Sequence, residues 1–220
     1  MKLYTIIGGV NGVGKSSLSG VLSSENRDLG IIIDTDKLTL QLGGDRIKGG
    51  KAAISMINDC LQRGINFTQE TTLSGFRTLR TIKQARELDY TVRLYYIGVG
   101  SYEESISRIQ NRVCKGGHDI PAADVERRYE KRFDDLAKVL PYCNEVIFFD
   151  NENGFTEVGY YRNGAVVITA DSPPKWIVEL KYLLTDYTEW QRLHYDDISE
   201  DKLQKNIEKF IKENPSPFHK

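Results

Sequence analysis

Eight residues near the start of the chain, Gly9-Val10-Asn11-Gly12-Val13-Gly14-Lys15-Ser16, set three glycines ahead of a lysine and a hydroxyl. Few folds have a use for that combination. The spacing meets the G-x-x-x-x-G-K-[ST] pattern of a phosphate-binding loop in full. Without a Cβ, Gly9, Gly12 and Gly14 let the backbone take φ values that other residues avoid and approach a polyphosphate closely. The loop amides then turn inward and, with the positive end of the helix that Lys15 opens, form a cradle for phosphates. In such a loop Lys15 reaches the β- and γ-phosphates and the Ser16 hydroxyl ligates a magnesium ion, while Asn11, Val13 and Ser17 belong to the same nucleotide-binding stretch. The pattern requires a strand before it and a helix after it. Leu3-Tyr4-Thr5-Ile6-Ile7 is a short apolar run suited to a buried parallel strand, and Ser16 to Leu22 places apolar residues at helical spacing.

At 220 residues the chain suits one α/β domain with a substantial core. A net charge of −1 leaves no electrostatic footprint for nucleic acid. No apolar run is long enough to cross a bilayer and the N-terminus enters a strand at once, so a cytoplasmic protein with no membrane partner is expected. Cys60, Cys114 and Cys143 are scattered and odd in number, which points to reduced thiols rather than a disulfide frame.

Further strands follow in order, at Gly30–Ile33, Ile65–Gln69, Thr91–Ile97 and Glu145–Phe149. The second runs into Asp34-Thr35-Asp36, and the third into Glu70-Thr71-Thr72. Acids at the carboxyl ends of parallel strands sit where α/β sheets place their ligands, although each could equally cap a following helix. Residues 38 to 50 read as a short helix and a flexible glycine turn, and Lys51 to Gln62 as a helix stopped by Gly64. A helix capped by Ser101 carries Arg108 and Arg112 one turn apart. It gives way at Gly116-Gly117-His118, and Pro121 restarts a helix of alternating charge. Helix, glycine turn and helix is the layout of a lid over transferring phosphate. Phe155–Tyr161 and Ala165–Thr169 flank Arg162-Asn163-Gly164 as a hairpin, and Pro173-Pro174 opens a helix. The expected architecture is a three-layer α/β fold with a parallel five-stranded sheet, extended by a C-terminal hairpin and helix. The domain covers 1–184, with a lid over about 101–138 and the hairpin over about 155–170. Residues 185–220 form a polar tail, helical from Lys202 to Lys212.

The ordered segments GVNGVGKSS, IIIDTD, QETTLSG, SYEESISRIQNRV, GGHDIPAADVERRYEKRF and FFDN resemble the zeta-toxin-like kinases, in particular their short stand-alone branch. The resemblance covers Met1 to about Leu184. It implies a P-loop NTPase fold like that of nucleoside-monophosphate kinases. The implied activity uses ATP or GTP with magnesium to phosphorylate the 3′-hydroxyl of the sugar in UDP-N-acetylglucosamine, and in toxin–antitoxin pairs a small helical protein blocks the nucleotide site. Position by position, Lys15 and Ser16 match the loop lysine and metal-ligating hydroxyl, and Asp36 matches the base that takes the proton from the sugar hydroxyl. Asp34 stands beside it in the acceptor region. Glu70 matches the acid that holds the sugar nucleotide, with Thr72 next to it, and Arg108 matches a lid arginine on the γ-phosphate. Where the family has a second arginine this chain has His118, so Arg112, Arg127 or Arg128 is left to supply that charge. Two other functions fit the same motifs: a kinase of another metabolite or nucleoside, and a nucleotide-dependent switch that needs no acceptor.

Overall fold

A computed structural model describes residues 1–114, 116–117 and 119–194, and His118 and the helix expected in the tail lie outside them. The chain runs β1 (Lys2–Gly8), α1 (Lys15–Ser24), β2 (Ile31–Asp34), α2 (Thr35–Gln41), α3 (Arg46–Arg63), β3 (Phe67–Thr71), α4 (Arg77–Glu87), β4 (Tyr90–Gly98), α5 (Tyr102–Cys114), α6 (Ala122–Glu130), α7 (Arg132–Ala137), β5 (Glu145–Asp150), β6 (Thr156–Arg162), β7 (Ala165–Ile168) and α8 (Lys175–His194). The strand order is β2-β3-β1-β4-β5-β6-β7. The first five strands are parallel.

Alternation along the central strands produces the layers. Tyr4 and Ile6 of β1 and Val92, Leu94 and Tyr96 of β4 face one core, closed by Ile57, Ile82, Leu136 and Trp176 from α3, α4, α7 and α8. Ile7, Tyr95 and Ile97 face the other, closed by Leu18 and Leu22 of α1. A third, small cluster of Ile109, Ile120 and Val125 joins α5 to α6 apart from both, so the lid carries its own core.

Three features differ from the sequence expectation. The hairpin is no appendage: β6 pairs antiparallel with β5, so the five-stranded parallel sheet becomes a mixed one of seven strands. The charged lid helix breaks at Lys131 into α6 and α7. The glycine turn expected before Lys51 lies inside α3, which starts at Arg46 under an Asp45 cap whose carboxylate accepts from the Ile47 and Lys48 amides, both at 3.0 Å. Gly49 is there for proximity rather than flexibility, since a Cβ on it would stand 2.1 Å from Thr39 Oγ1. That contact lets α3 press against α2, which begins with the Asp34-Thr35-Asp36 segment. No helix among the described residues is long and apolar enough to cross a membrane.

Candidate functional site

The carboxyl ends of β1, β2 and β3 converge because their register sets Ile7, Glu70 and Asp34 side by side. From β1 the chain enters the loop with left-handed or otherwise positive φ at Gly9 (144°), Gly12 (82°) and Gly14 (96°). Gly12 also needs to be glycine for space, as a Cβ would meet the Ser105 carbonyl oxygen of α5 at 2.6 Å. Val13 is fully buried and its carbonyl accepts from Asn151 Nδ2 at 2.9 Å. Ser17 is exposed on the first turn of α1.

Lys15 Nζ donates to the carbonyls of Gly9 (2.9 Å) and Val10 (3.0 Å), which holds the ammonium at the N-terminal side of the loop. Part of Lys15 remains open to solvent. Its charged end is nonetheless crowded, and burial lowers its pKa from 10.5 to about 8 against the opposing pull of Asp36, then Glu70 and Asp34. Three negative side chains thus face this lysine, and Asp36 acts on it most strongly.

The three acids divide their work. Asp34 caps α2, its Oδ1 accepting from the amides of Asp36 (2.9 Å) and Lys37 (3.1 Å), while its Oδ2 takes the Ser16 hydroxyl at 3.3 Å. Asp36 is exposed, and among the described residues its carboxylate accepts no hydrogen bond. Glu70 is buried, and both of its oxygens are engaged at 2.6 Å: Oε2 by Ser16 and Oε1 by Ser19. Glu70 therefore turns toward α1 and the loop, while Thr72, half-buried, donates to Ser74 Oγ at 3.1 Å. The donors around Ser16 are a hydroxyl and two carboxylates, the oxygen set that a hard, water-retaining cation such as magnesium takes through one or two protein groups. No group of three or more His, Cys, Asp or Glu side chains poised for a metal occurs among the described residues. A cleft of about 370 Å³ opens beside this cluster, between the Ser16, Ser19 and Ser23 face of α1 and Lys37, Leu38 and Gln41 of α2.

The lid contributes cations unequally. Arg108 donates to the Asn151 carbonyl and pairs with Glu104, beside the loop that Asn151 braces. Arg112 lies against the glycine turn, where a Cβ on Gly117 would come within 2.5 Å of its Cγ. Arg127 is paired with Asp124 at 2.8 Å on the exposed side. Arg128 reaches the loop itself, its Nη1 donating to Asn11 Oδ1 at 2.6 Å. Asp150 serves the fold: its Oδ1 accepts from the buried Trp176 Nε1 at 2.8 Å.

Sequence reasoning passed over Ser19 and could not rank Arg128. The signal for Ser19 was its place three residues after Ser16, on the same face of α1. Arg128 carried no comparable signal within a helix of alternating charge.

No family model matches the chain. It is similar to an uncharacterized protein of Haemophilus influenzae, 36% identical over 127 residues that make up 55% of this chain and 88% of the relative. Among solved structures, one from the PezAT chromosomal toxin–antitoxin system of Streptococcus pneumoniae matches 97% of this chain and 87% of its own, with a TM-score of 0.58 and 16% identity. A chain of the AvrRxo1-ORF1:AvrRxo1-ORF2 complex with sulphate ions matches 96% of this chain and 76% of its own, with a TM-score of 0.61 and 12% identity. The corresponding complex with ATP gives 0.58 over the same shares. The chain belongs to one family with the Haemophilus influenzae protein, and it shares its fold with the PezAT and AvrRxo1 chains.

Proposed function

We propose that this chain is a magnesium-dependent kinase that transfers the γ-phosphate of ATP or GTP to a hydroxyl of a small molecule. The observation that carries the reading is the division of labour at the strand ends: Asp34 and Glu70 are committed to the Ser16 hydroxyl, which leaves the exposed carboxylate of Asp36 beside Lys15. A switch that only holds nucleotide has no use for such a base, and one that hydrolyses it would use the base on water, which the no-acceptor control reads. The working unit is the domain expected over residues 1–184, extended to His194 because α8 runs unbroken across that boundary, with residues 101–138 as the lid.

Lys15 and the loop amides bind the β- and γ-phosphates, and Ser16, Asp34 and Glu70 are the groups that would hold the metal and its water. Bound there, magnesium would neutralise charge developing on the transferring phosphoryl group. Asp36 accepts the proton of the acceptor hydroxyl as the acceptor oxygen bonds to the γ-phosphorus, and the bond from that phosphorus to the β–γ bridging oxygen breaks to release the nucleoside diphosphate. Arg108 and Arg112 supply lid charge, and closure of the α5–α6 unit excludes water.

The acceptor proposed first is the sugar 3′-hydroxyl of UDP-N-acetylglucosamine, supported by the resemblance of the ETTLSG and GGHDIP segments, with Thr72 on the acceptor side. Glu70, engaged with α1, is assigned to the metal rather than to that sugar nucleotide. The reading extends to a cytoplasmic protein with a small antitoxin partner, as the PezAT neighbour comes from a toxin–antitoxin system. The test is transfer of labelled γ-phosphate from ATP with magnesium into UDP-N-acetylglucosamine, beside other hydroxyl acceptors and a no-acceptor control. Product in the UDP-sugar lane supports the whole reading. Product with another acceptor replaces the substrate and keeps the kinase, and acceptor-independent phosphate release contradicts it.

A further inference from the structure

We infer that Ser19 is a positioning residue: acting through Glu70, it fixes the direction of the Ser16 hydroxyl and leaves Asp34 free to accept from a metal-bound water. The inference rests on the metal part of the proposed function and not on the acceptor.

Ser16 and Ser19 stand three residues apart on α1, so both point from one face of its first turns. Strand β3 delivers Glu70 to that face, in register with Ile7 of β1 and Asp34 of β2. Each hydroxyl then takes one oxygen of the same carboxylate, Ser16 meeting Oε2 and Ser19 meeting Oε1, both at 2.6 Å. Ser19 is 3% exposed and Glu70 6%, which leaves solvent little access to either. A buried carboxylate is costly unless its oxygens are hydrogen-bonded, and these two serines are the side chains that meet it among the described residues.

The two serines have unequal duties, because each hydroxyl has a single hydrogen to give. Ser16 Oγ has two acceptors in reach, Glu70 Oε2 at 2.6 Å and Asp34 Oδ2 at 3.3 Å. The shorter contact takes the hydrogen, and the lone pairs of Ser16 are turned away from Glu70. Asp34 is not free to swing closer, since its Oδ1 is held by the amides of Asp36 and Lys37. Its Oδ2 therefore stays an acceptor suited to a water that magnesium retains. Ser19 keeps this order. Its hydroxyl also lies 3.2 Å from the Lys15 carbonyl, but the carboxylate oxygen is nearer and charged, so the hydrogen goes to Glu70. Without that hydroxyl Oε1 has no side-chain donor, and the carboxylate must turn to recover one. The cleft that Ser16, Ser19 and Asp34 line gives it room to do so, and Ser16 is then released toward Asp34.

Calorimetry of ADP binding to the full chain, with magnesium and with a chelator, reads the gain in affinity that the metal confers. Ser19→Ala is expected to cut that gain about three- to tenfold, while metal-free affinity changes by less than about twofold. Ser19→Cys, close in size but a weaker donor, is expected to lose less than Ser19→Ala. In a Glu70→Gln background Ser19→Ala is expected to add no further loss, since the carboxylate that it positions is already gone. A purely structural role would lower both affinities together or add its loss to that of Glu70→Gln. An unchanged gain in Ser19→Ala, equal losses with and without metal, or additive losses in the double variant would each overturn the inference. If Ser19→Ala fails to fold, Ser19→Cys decides: a loss confined to the magnesium arm supports the inference and any other result refutes it. If magnesium gives the wild-type chain no gain, the metal part of the proposed function fails and this inference with it. A wild-type gain that Ser19 does not affect refutes this inference alone.

Discussion

Adjacent glycines in α3 respond oppositely to the same substitution. A Cβ on Gly49 would lie 2.1 Å from Thr39 Oγ1 and 2.8 Å from Thr39 Cα, whereas one on Gly50 meets nothing within 4 Å. Thr39 cannot swing aside: it is 5% exposed and its hydroxyl donates to the Thr35 carbonyl at 2.8 Å. Alanine replaces glycine in a helix interior with a gain of about 1 kcal/mol. Overpacking costs about 1 to 3 kcal/mol, and the contact with backbone puts Gly49→Ala near the upper end. The net expectation is a loss of about 2 kcal/mol for Gly49→Ala and a gain of about 0.5 to 1 kcal/mol for Gly50→Ala. Urea unfolding with a common slope reads both. The first variant carries a functional signature as well, because α2 must move away and it carries Asp36. Turnover in Gly49→Ala should fall more than nucleotide affinity does. Stabilisation by both substitutions would refute the α2–α3 packing on which the position of Asp36 depends.

Other expectations follow from the site and the core. Lys15, titrating at about 8, is mostly charged at pH 7 and mostly neutral at pH 9, and phosphate selects the charged form. ATP affinity measured by calorimetry should therefore fall about tenfold between those pH values, and a flat profile would contradict the crowded lysine. Glu70→Gln should weaken ADP binding in the presence of magnesium by about tenfold or more and leave metal-free binding nearly unchanged. A loss independent of the metal would return Glu70 to a purely structural role. Trp176→Phe removes the donor to Asp150 and part of a fully packed ring, a cost of about 2 to 4 kcal/mol in urea unfolding. A change under about 0.5 kcal/mol would show that the Trp176–Asp150 bond adds nothing.

The parallel core is legible in the sequence because β1 from Leu3 and β4 from Leu94 are buried on both faces and so read as largely apolar runs before turn residues. The loop is legible for a stronger reason, as its backbone geometry admits few residues other than glycine at positions 12 and 14. Harder to read is whatever depends on distant packing. Gly49 and Gly50 look like a turn until Thr39 is brought against the first of them. Glu70 reads as an acceptor-binding acid, and only the facing α1 turns it toward Ser16 and Ser19. Arg127 and Arg128 are neighbours in sequence with the same charge, and a helical step of about 100° sends one to solvent and the other to Asn11.

The most direct test of the account is Asp36→Asn, assayed for nucleotide binding and for phosphoryl transfer to whichever acceptor the wild-type chain phosphorylates. The exposed carboxylate makes no fold-bearing hydrogen bond, so ATP affinity should stay within a fewfold while turnover drops by at least roughly a hundredfold. Turnover equal to that of the wild type would remove Asp36 as the base and contradict the mechanism built on it.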